Sequence, residues 1–204
     1  MTKIIIDQLN RKKSKRTLSV GKSESLVYLL LGLQPGSKEV TINLNGKGAT
    51  AEILGLFIGR QGTGQIKTIQ RHLAPDTTSD LLIKSVLFDE ASYNYHGMIR
   101  IDRSAPGANA YQRNDNLLLS EKALVNTRPE LEILANDVRC THGATTGRIN
   151  EANLFYLTSK GIAKKEAERL IVEGFLQDVL ERIPDQKKRN ELAKQLKRKL
   201  NHVN

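Results

Sequence analysis

The segment Val138-Arg139-Cys140-Thr141-His142-Gly143 carries the single cysteine of this 204-residue chain and one of its four histidines. In a β-strand, residues two apart project from the same face, so Cys140 and His142 would stand side by side, close enough to share one soft metal ion. Two ligands do not complete a tetrahedral iron or zinc site. The others would have to come from a second chain or from inorganic sulfide. The plainer alternative, which spacing alone favours, makes Cys140 a small buried residue and His142 a hydrogen-bonded turn residue.

The other histidines offer less. His72 with Asp76 nearby, and His96 between Tyr95 and Gly97, could be pictured as base and orienter, yet no nucleophile stands at a strained turn beside them. Structural hydrogen bonding is the expected role for both. The sequence contains no GxSxG, HExxH, Walker A, GxGxxG or CxxC motif, so the common hydrolase, zinc-protease, nucleotide-binding and redox signatures are missing. Gly59-Arg60-Gln61-Gly62-Thr63-Gly64 is glycine-rich but lacks the Lys-Ser/Thr ending and a following helix, so it reads as a turn between strands. No nucleotide site is expected in this chain.

Charge must be located before it is interpreted. The net charge is +10, from 32 Lys+Arg against 22 Asp+Glu. Seven positive residues and only Asp7 on the negative side fall within residues 1–22, and seven positive and two negative within residues 184–204. The middle of the chain is close to neutral. Both ends read as solvated basic tails, away from the few aromatics that base stacking would use, so nucleic-acid binding is not the expected function. No apolar run approaches the roughly 18 residues of a membrane span, and one cysteine forms no internal disulfide. These features point to a cytoplasmic protein.

Between Ser25 and Cys140 the apolar residues come in short runs of strand length: Leu26 to Leu33, Val40 to Leu44, Ala51 to Ile58, Leu81 to Phe88, Met98 to Ile101, Leu117 to Leu119 and Leu131 to Leu134. Turn signals such as Gln34-Pro35-Gly36 and Ala105-Pro106-Gly107 separate them. Asn114-Asp115 recurs as Asn136-Asp137, which suggests a period near 20 residues and a β-solenoid; a β-sandwich would give similar strand density. After Gly147 the period becomes helical. Asn150 can cap a helix that Gly161 stops. A second helix spans about Ala163 to Ile183 with Ala167, Leu170, Ile171, Phe175, Leu176, Val179, Leu180 and Ile183 as its apolar stripe. Pro184 ends it, and Gln186 to Leu200 carries a narrow seam of Leu192, Leu196 and Leu200 among basic residues, fit to dock on the protein or on a partner helix.

Several strings, in order, carry a resemblance: Arg71-His72-Leu73-Ala74-Pro75-Asp76-Thr77-Thr78-Ser79, Asn114 to Ser120, Pro129 to Ile133, Cys140-Thr141-His142-Gly143-Ala144-Thr145-Thr146-Gly147 and Leu154 to Leu157. Over Arg71 to Ile183 the chain resembles the C-terminal half of the SufB/SufD family, scaffold subunits of SUF iron-sulfur cluster assembly. The resemblance implies a right-handed parallel β-helix followed by a small C-terminal α-helical domain. With the charge and apolar pattern, the expected division is residues 1–24 as a basic N-terminal arm and first strand, 25–147 as the β-helix core and 148–204 as the helical domain.

The same resemblance implies the function of a non-enzymatic scaffold. Its β-helix would pair with a SufB-like partner or with a second copy, and its terminal helices would dock a SufC-like ABC ATPase. The cofactor it implies is a transient iron-sulfur cluster shared with the partner subunit. The Cys-x-His-Gly-Ala-Thr pattern at Cys140 to Thr145 is similar to SufD, and Asn114 stands where SufB-type sequences place a cysteine. His142 then matches the histidine implicated in cluster assembly, with Cys140 as a second metal candidate. Two other classes stay open: an interaction protein of the same fold that never holds metal, and a basic nucleic-acid binder that uses the two tails.

Overall fold

The computed structural model describes residues 2–9 and 11–201; His202 falls outside them. Eleven strands and three helices follow one another without interleaving: β1 (Thr2–Gln8), β2 (Ser14–Val20), β3 (Ser25–Gly32), β4 (Gly36–Leu44), β5 (Thr50–Gly59), β6 (Thr63–His72), β7 (Thr78–Leu87), β8 (Ser92–Ile101), β9 (Ala108–Leu118), β10 (Leu124–Ile133), β11 (Val138–Arg148), then α1 (Glu151–Ser159), α2 (Lys164–Glu181) and α3 (Gln186–Asn201). Odd-numbered strands form one parallel sheet in the order β1-β3-β5-β7-β9-β11. The even-numbered strands form a second, β10-β8-β6-β4-β2. The chain alternates between the two sheets, which makes a parallel β-solenoid rather than a sandwich.

The register sets the length of a coil. Thr2 pairs with Ser25, and Thr78 with Asn109. Coils therefore take between 23 and 32 residues, as Ser92 paired with Leu124 shows at the upper end, and the expected period near 20 is wrong. Asn114 pairs with Ala144 and not with the second Asn-Asp pair, so the repetition of that dipeptide is a coincidence of turn chemistry. The turns stack as well as the strands: Gly48 N–H donates to the Pro75 carbonyl, Asp76 N–H to Pro106, and Gly107 N–H to Asp137. Backbone donors at the corners thus find partners in the coil above or below, as a compact fold requires.

Interior-facing residues of both sheets fill the lumen. Tyr28, Ile53 and Leu81 stack in register from the odd sheet against Val40, Ile42 and Ile66 from the even sheet. Phe57 and Tyr93 rings stack at 4.9 Å between centroids. Gly32 and Gly64 make room for Phe57, since a Cβ on either would overlap its ring. Fully burying one such side chain stabilises the fold by about 1.5–3 kcal/mol.

The odd sheet is also apolar on its outer face, which explains why β3, β5 and β7 read as unbroken hydrophobic runs. Leu29, Leu54, Leu56 and Leu82 there lie under Val172, Leu176, Val179 and Leu180 of α2 and under Leu192, Leu196 and Leu200 of α3. The leucine seam of α3 therefore docks on its own chain. Of the expected second-helix stripe, Ala167, Leu176, Val179, Leu180 and Ile183 are buried and Ile171 and Phe175 half-buried, while Leu170 is exposed and Val172 is buried in addition. Lys84 fixes the helix to the sheet: its buried Nζ lies 2.9 Å from Asp178, donates to the Phe175 carbonyl at 3.0 Å, and sits over the Phe175 ring. Arg182 adds a bond to Asp80 at 3.1 Å.

Both ends of the α1 reading hold. Asn150 Oδ1 accepts from the Ala152 and Asn153 amides, and Gly161 takes φ 86° after the last turn. The basic N-terminal segment differs from its expected form as a solvated tail. Thr2–Gln8 and Ser14–Val20 are strands of the first coil, and inward-pointing Asp7 meets Arg16, Lys38 and the Tyr28 hydroxyl. Among the described residues no helix is long and apolar enough to cross a membrane.

Candidate functional site

The last coil of the solenoid positions Cys140 and His142. Strand β11 pairs with β9 along one edge only, with Cys140 opposite Ala110, His142 opposite Gln112 and Ala144 opposite Asn114. Ala110, Gln112 and Asn114 all point into the lumen and are buried. Because paired residues of a parallel ladder share a face, Cys140 and His142 continue the inward column. No coil covers them among the described residues, so His142 is exposed and Cys140 half-buried. The lumen therefore opens at this end, and its two candidate ligands lie on the rim.

Cys140 packs beside a small apolar cluster of Ile99, Ile101, Ala105, Ala108 and Ala110. This burial pushes its thiol pKa up. Holding a metal ion there would displace a proton that the free thiol keeps at neutral pH. His142 makes no side-chain hydrogen bond among the described residues, which leaves both ring nitrogens to a ligand or partner. The neighbouring surface is open: a Cβ on Gly143 or Gly147 would meet nothing within 4 Å. On the even sheet, β10 is likewise an edge strand, and Leu131, Ile133 and the following Leu134 are exposed beside the rim. Pro129 lies in β10, at the sheet edge where a missing N–H is tolerated.

Beneath the rim the lumen turns polar, a feature that apolar pattern reading misses. Asn114 donates to the Ile83 carbonyl at 3.2 Å and accepts from Asn116 at 3.0 Å and Thr127 at 2.9 Å. Asn116 donates to the Thr145 carbonyl and accepts from Ser85, while Thr145 Oγ1 donates to Asp115 at 2.7 Å. This network ties β11 to the coil before it. The signal available in the sequence was the spacing of Gln112, Asn114 and Asn116 at every second position, which is strand alternation written in amides.

The other histidines are placed in structural roles. His72 is fully buried, with Nδ1 2.8 Å from Thr77 Oγ1 and Nε2 2.8 Å from Ser79 Oγ. Burial lowers its pKa to about 4, so the ring is neutral. Asp76 instead pairs with Lys47 at the surface. His96 lies on the outer face of the even sheet, 2.7 Å from Glu130 on the neighbouring strand. Neither ring is brought near Cys140 or His142. Arg60 to Gly62 is a turn between β5 and β6, as expected. Among the described residues, no three His, Cys, Asp or Glu side chains converge on a point that could hold a metal ion.

Comparison with known proteins bears on the whole arrangement. The family described as SUF system FeS cluster assembly, SufBD core domain, matches residues 21–175. The chain belongs to the SufB/SufD family. It is similar to the iron-sulfur cluster assembly protein SufD of Bacillus subtilis, 33% identical over 92% of this chain and 44% of that protein. It is also similar to SufD of Escherichia coli, 32% identical over 77% of this chain and 37% of that protein. SufB of Bacillus subtilis is 32% identical over 69% of this chain and 30% of that protein. The chain thus spans less than half the length of these SufB and SufD relatives. Cys140, His142 and all of β11 lie inside the matched SufBD core, as do α1 and most of α2.

Proposed function

We propose that this chain is a non-enzymatic scaffold subunit of a cytoplasmic SUF-type assembly complex, of the SufD kind, in which a nascent iron-sulfur cluster is cargo held at a seam between two solenoids. The observation that carries the reading is the placement of His142 and Cys140 together on the rim of an uncovered last coil. A second solenoid, from a SufB-like partner or another copy, covers that rim through β10, β11 and the exposed leucines beside them. One chain offers two ligands, and the partner and inorganic sulfide supply the rest. An imidazole is a competent iron ligand when neutral.

The helical end fits the second half of the proposal. Helix α1 has no buried residue, and its Phe155 and Tyr156 are 73% and 61% exposed. Exposed aromatics of this size suit a protein contact, here a SufC-like ATPase gripping α1 and the free side of α2. No nucleotide site is needed in this chain, because the partner brings it.

The test is anaerobic cluster reconstitution with partners, comparing the natural chain with His142→Ala. Cluster yield falls several-fold in the variant; equal yield removes His142 from the role. A second reading, a solenoid that binds the ATPase and never holds metal, draws on the lack of a third converging ligand among the described residues. Complexes isolated anaerobically with the ATPase but without iron would favour it. Nucleic-acid binding through two free tails loses its premise, since the first tail is folded into strands.

A further inference from the structure

Among the described residues no helix packs on the outer face of the even sheet, and its charge is organised in rows. Lys67, His96 and Arg128 are register partners on β6, β8 and β10, and Gln65, Asn94 and Asn126 form the adjacent row. Neighbours within a row are about 4.8 Å apart, and the rows lie about 7 Å apart along the strands. Both rows and Lys13, from the turn after β1, line a shallow depression of about 300 Å³. Lys13, Ser37 and Gln65 also line a second depression that extends toward Arg11 and Pro35. Lys199 of α3 lies at the adjoining surface with Leu9 and Gln34.

Cations outnumber carboxylates on this surface, where Glu39, the register partner of Lys67, also lines the depression. Among the described residues Lys13 and Lys67 have no ion-pair partner, and Lys15 is matched by Glu39. His96 and Arg128 share the single carboxylate of Glu130. We propose that this groove is a docking surface for an acidic polypeptide segment, distinct from the rim that bears His142. Two observations favour a peptide over nucleic acid. Tyr93 and Tyr95 point into the lumen, so among the described residues no tyrosine, phenylalanine or tryptophan side chain faces the groove for bases to stack on, and the ring of His96 is held against Glu130. The amide row supplies acceptors as well as donors, which match a peptide backbone, whereas a phosphodiester backbone only accepts.

The experiment uses the full chain and a fluorescein-labelled oligo-glutamate of about ten residues, read by anisotropy at low salt. A neutral Gly-Ser peptide and a single-stranded DNA of similar length serve as comparisons. Oligo-glutamate binds more tightly than either, and the affinity falls about tenfold in the Lys13→Gln, Lys67→Gln, Arg128→Gln variant. A control that removes three exposed α3 cations, Lys187→Gln, Lys194→Gln, Lys197→Gln, keeps the affinity within about twofold. The Lys13→Gln, Lys67→Gln variant leaves the Arg128 to Glu130 pair intact and still loses about threefold. Equal losses in the groove and α3 variants, tighter binding of DNA, or no binding of oligo-glutamate at millimolar concentration would each overturn the assignment.

Discussion

His72 makes folding stability depend on pH in a window that can be calculated. In the unfolded chain its pKa is near 6.5, and in the fold burial lowers it to about 4. Below 6.5 the unfolded chain binds a proton that the folded one refuses, so stability is complete above that value and is lost as pH falls toward 4. Each tenfold change in proton affinity is worth about 1.4 kcal/mol, which gives a full loss of about 3 kcal/mol. Between about pH 7.5 and pH 5 the loss is about 2 kcal/mol, a shift of about 1 M in the urea midpoint for an ordinary slope. Glu52, whose pKa burial raises, works in the opposite direction, and the carboxyls lowered by pairing, Asp7 and Asp178, act only at more acid pH. Comparing the natural chain with His72→Gln cancels these contributions. The variant starts less stable, having lost its bonds to Thr77 and Ser79, but lacks this acid slope. Identical slopes for the two proteins between pH 7.5 and 5 would refute the argument that His72 is buried and neutral.

Two further predictions concern packing and the rim. Leu196→Ala opens a cavity between α3 and the odd sheet and costs about 2–4 kcal/mol in chemical denaturation; a cost under about 1 kcal/mol would mean that the α3 seam is not docked on this chain. Cys140, with its raised pKa and partial burial, reacts slowly with iodoacetamide at neutral pH, and the rate keeps rising by about tenfold per pH unit to pH 9. A rate that levels off below pH 8.5, followed by mass spectrometry, would show an activated thiolate instead.

What could be read from the sequence followed the chemistry of the lumen. Strands β3, β5 and β7 were legible because both of their faces are apolar, one toward the lumen and one toward α2 and α3. Strand β6 was not, because Thr68, Gln70 and His72 fill its inward positions with polar side chains that hydrogen-bond to Tyr95, Gln112 and Ser79 of other strands. The first half of β9 was hidden in the same way by Gln112 and Asn114. Residues 1–24, expected as a basic arm with a first strand, hold two strands, and the second was missed since β1 and β2 form an end coil, whose side chains stay largely exposed and need no hydrophobic pattern. Cys140 and His142 on one strand face was a correct deduction from spacing. That this face lies on an uncovered rim, over an amide-lined lumen, depends on which coil is last. Local periodicity carries no such information.

The way α2 is fastened has a mechanical meaning. Its anchors, Lys84 and Asp80, sit on β7, while its apolar side also rests on β5 and shares the outer core with α3 and β3. A force applied to the helices is thus delivered to several turns of the spring together, through a buried cation and a leucine layer, and cannot unwind them one by one. Torque on α2 would reach the coils of β3, β5 and β7 together.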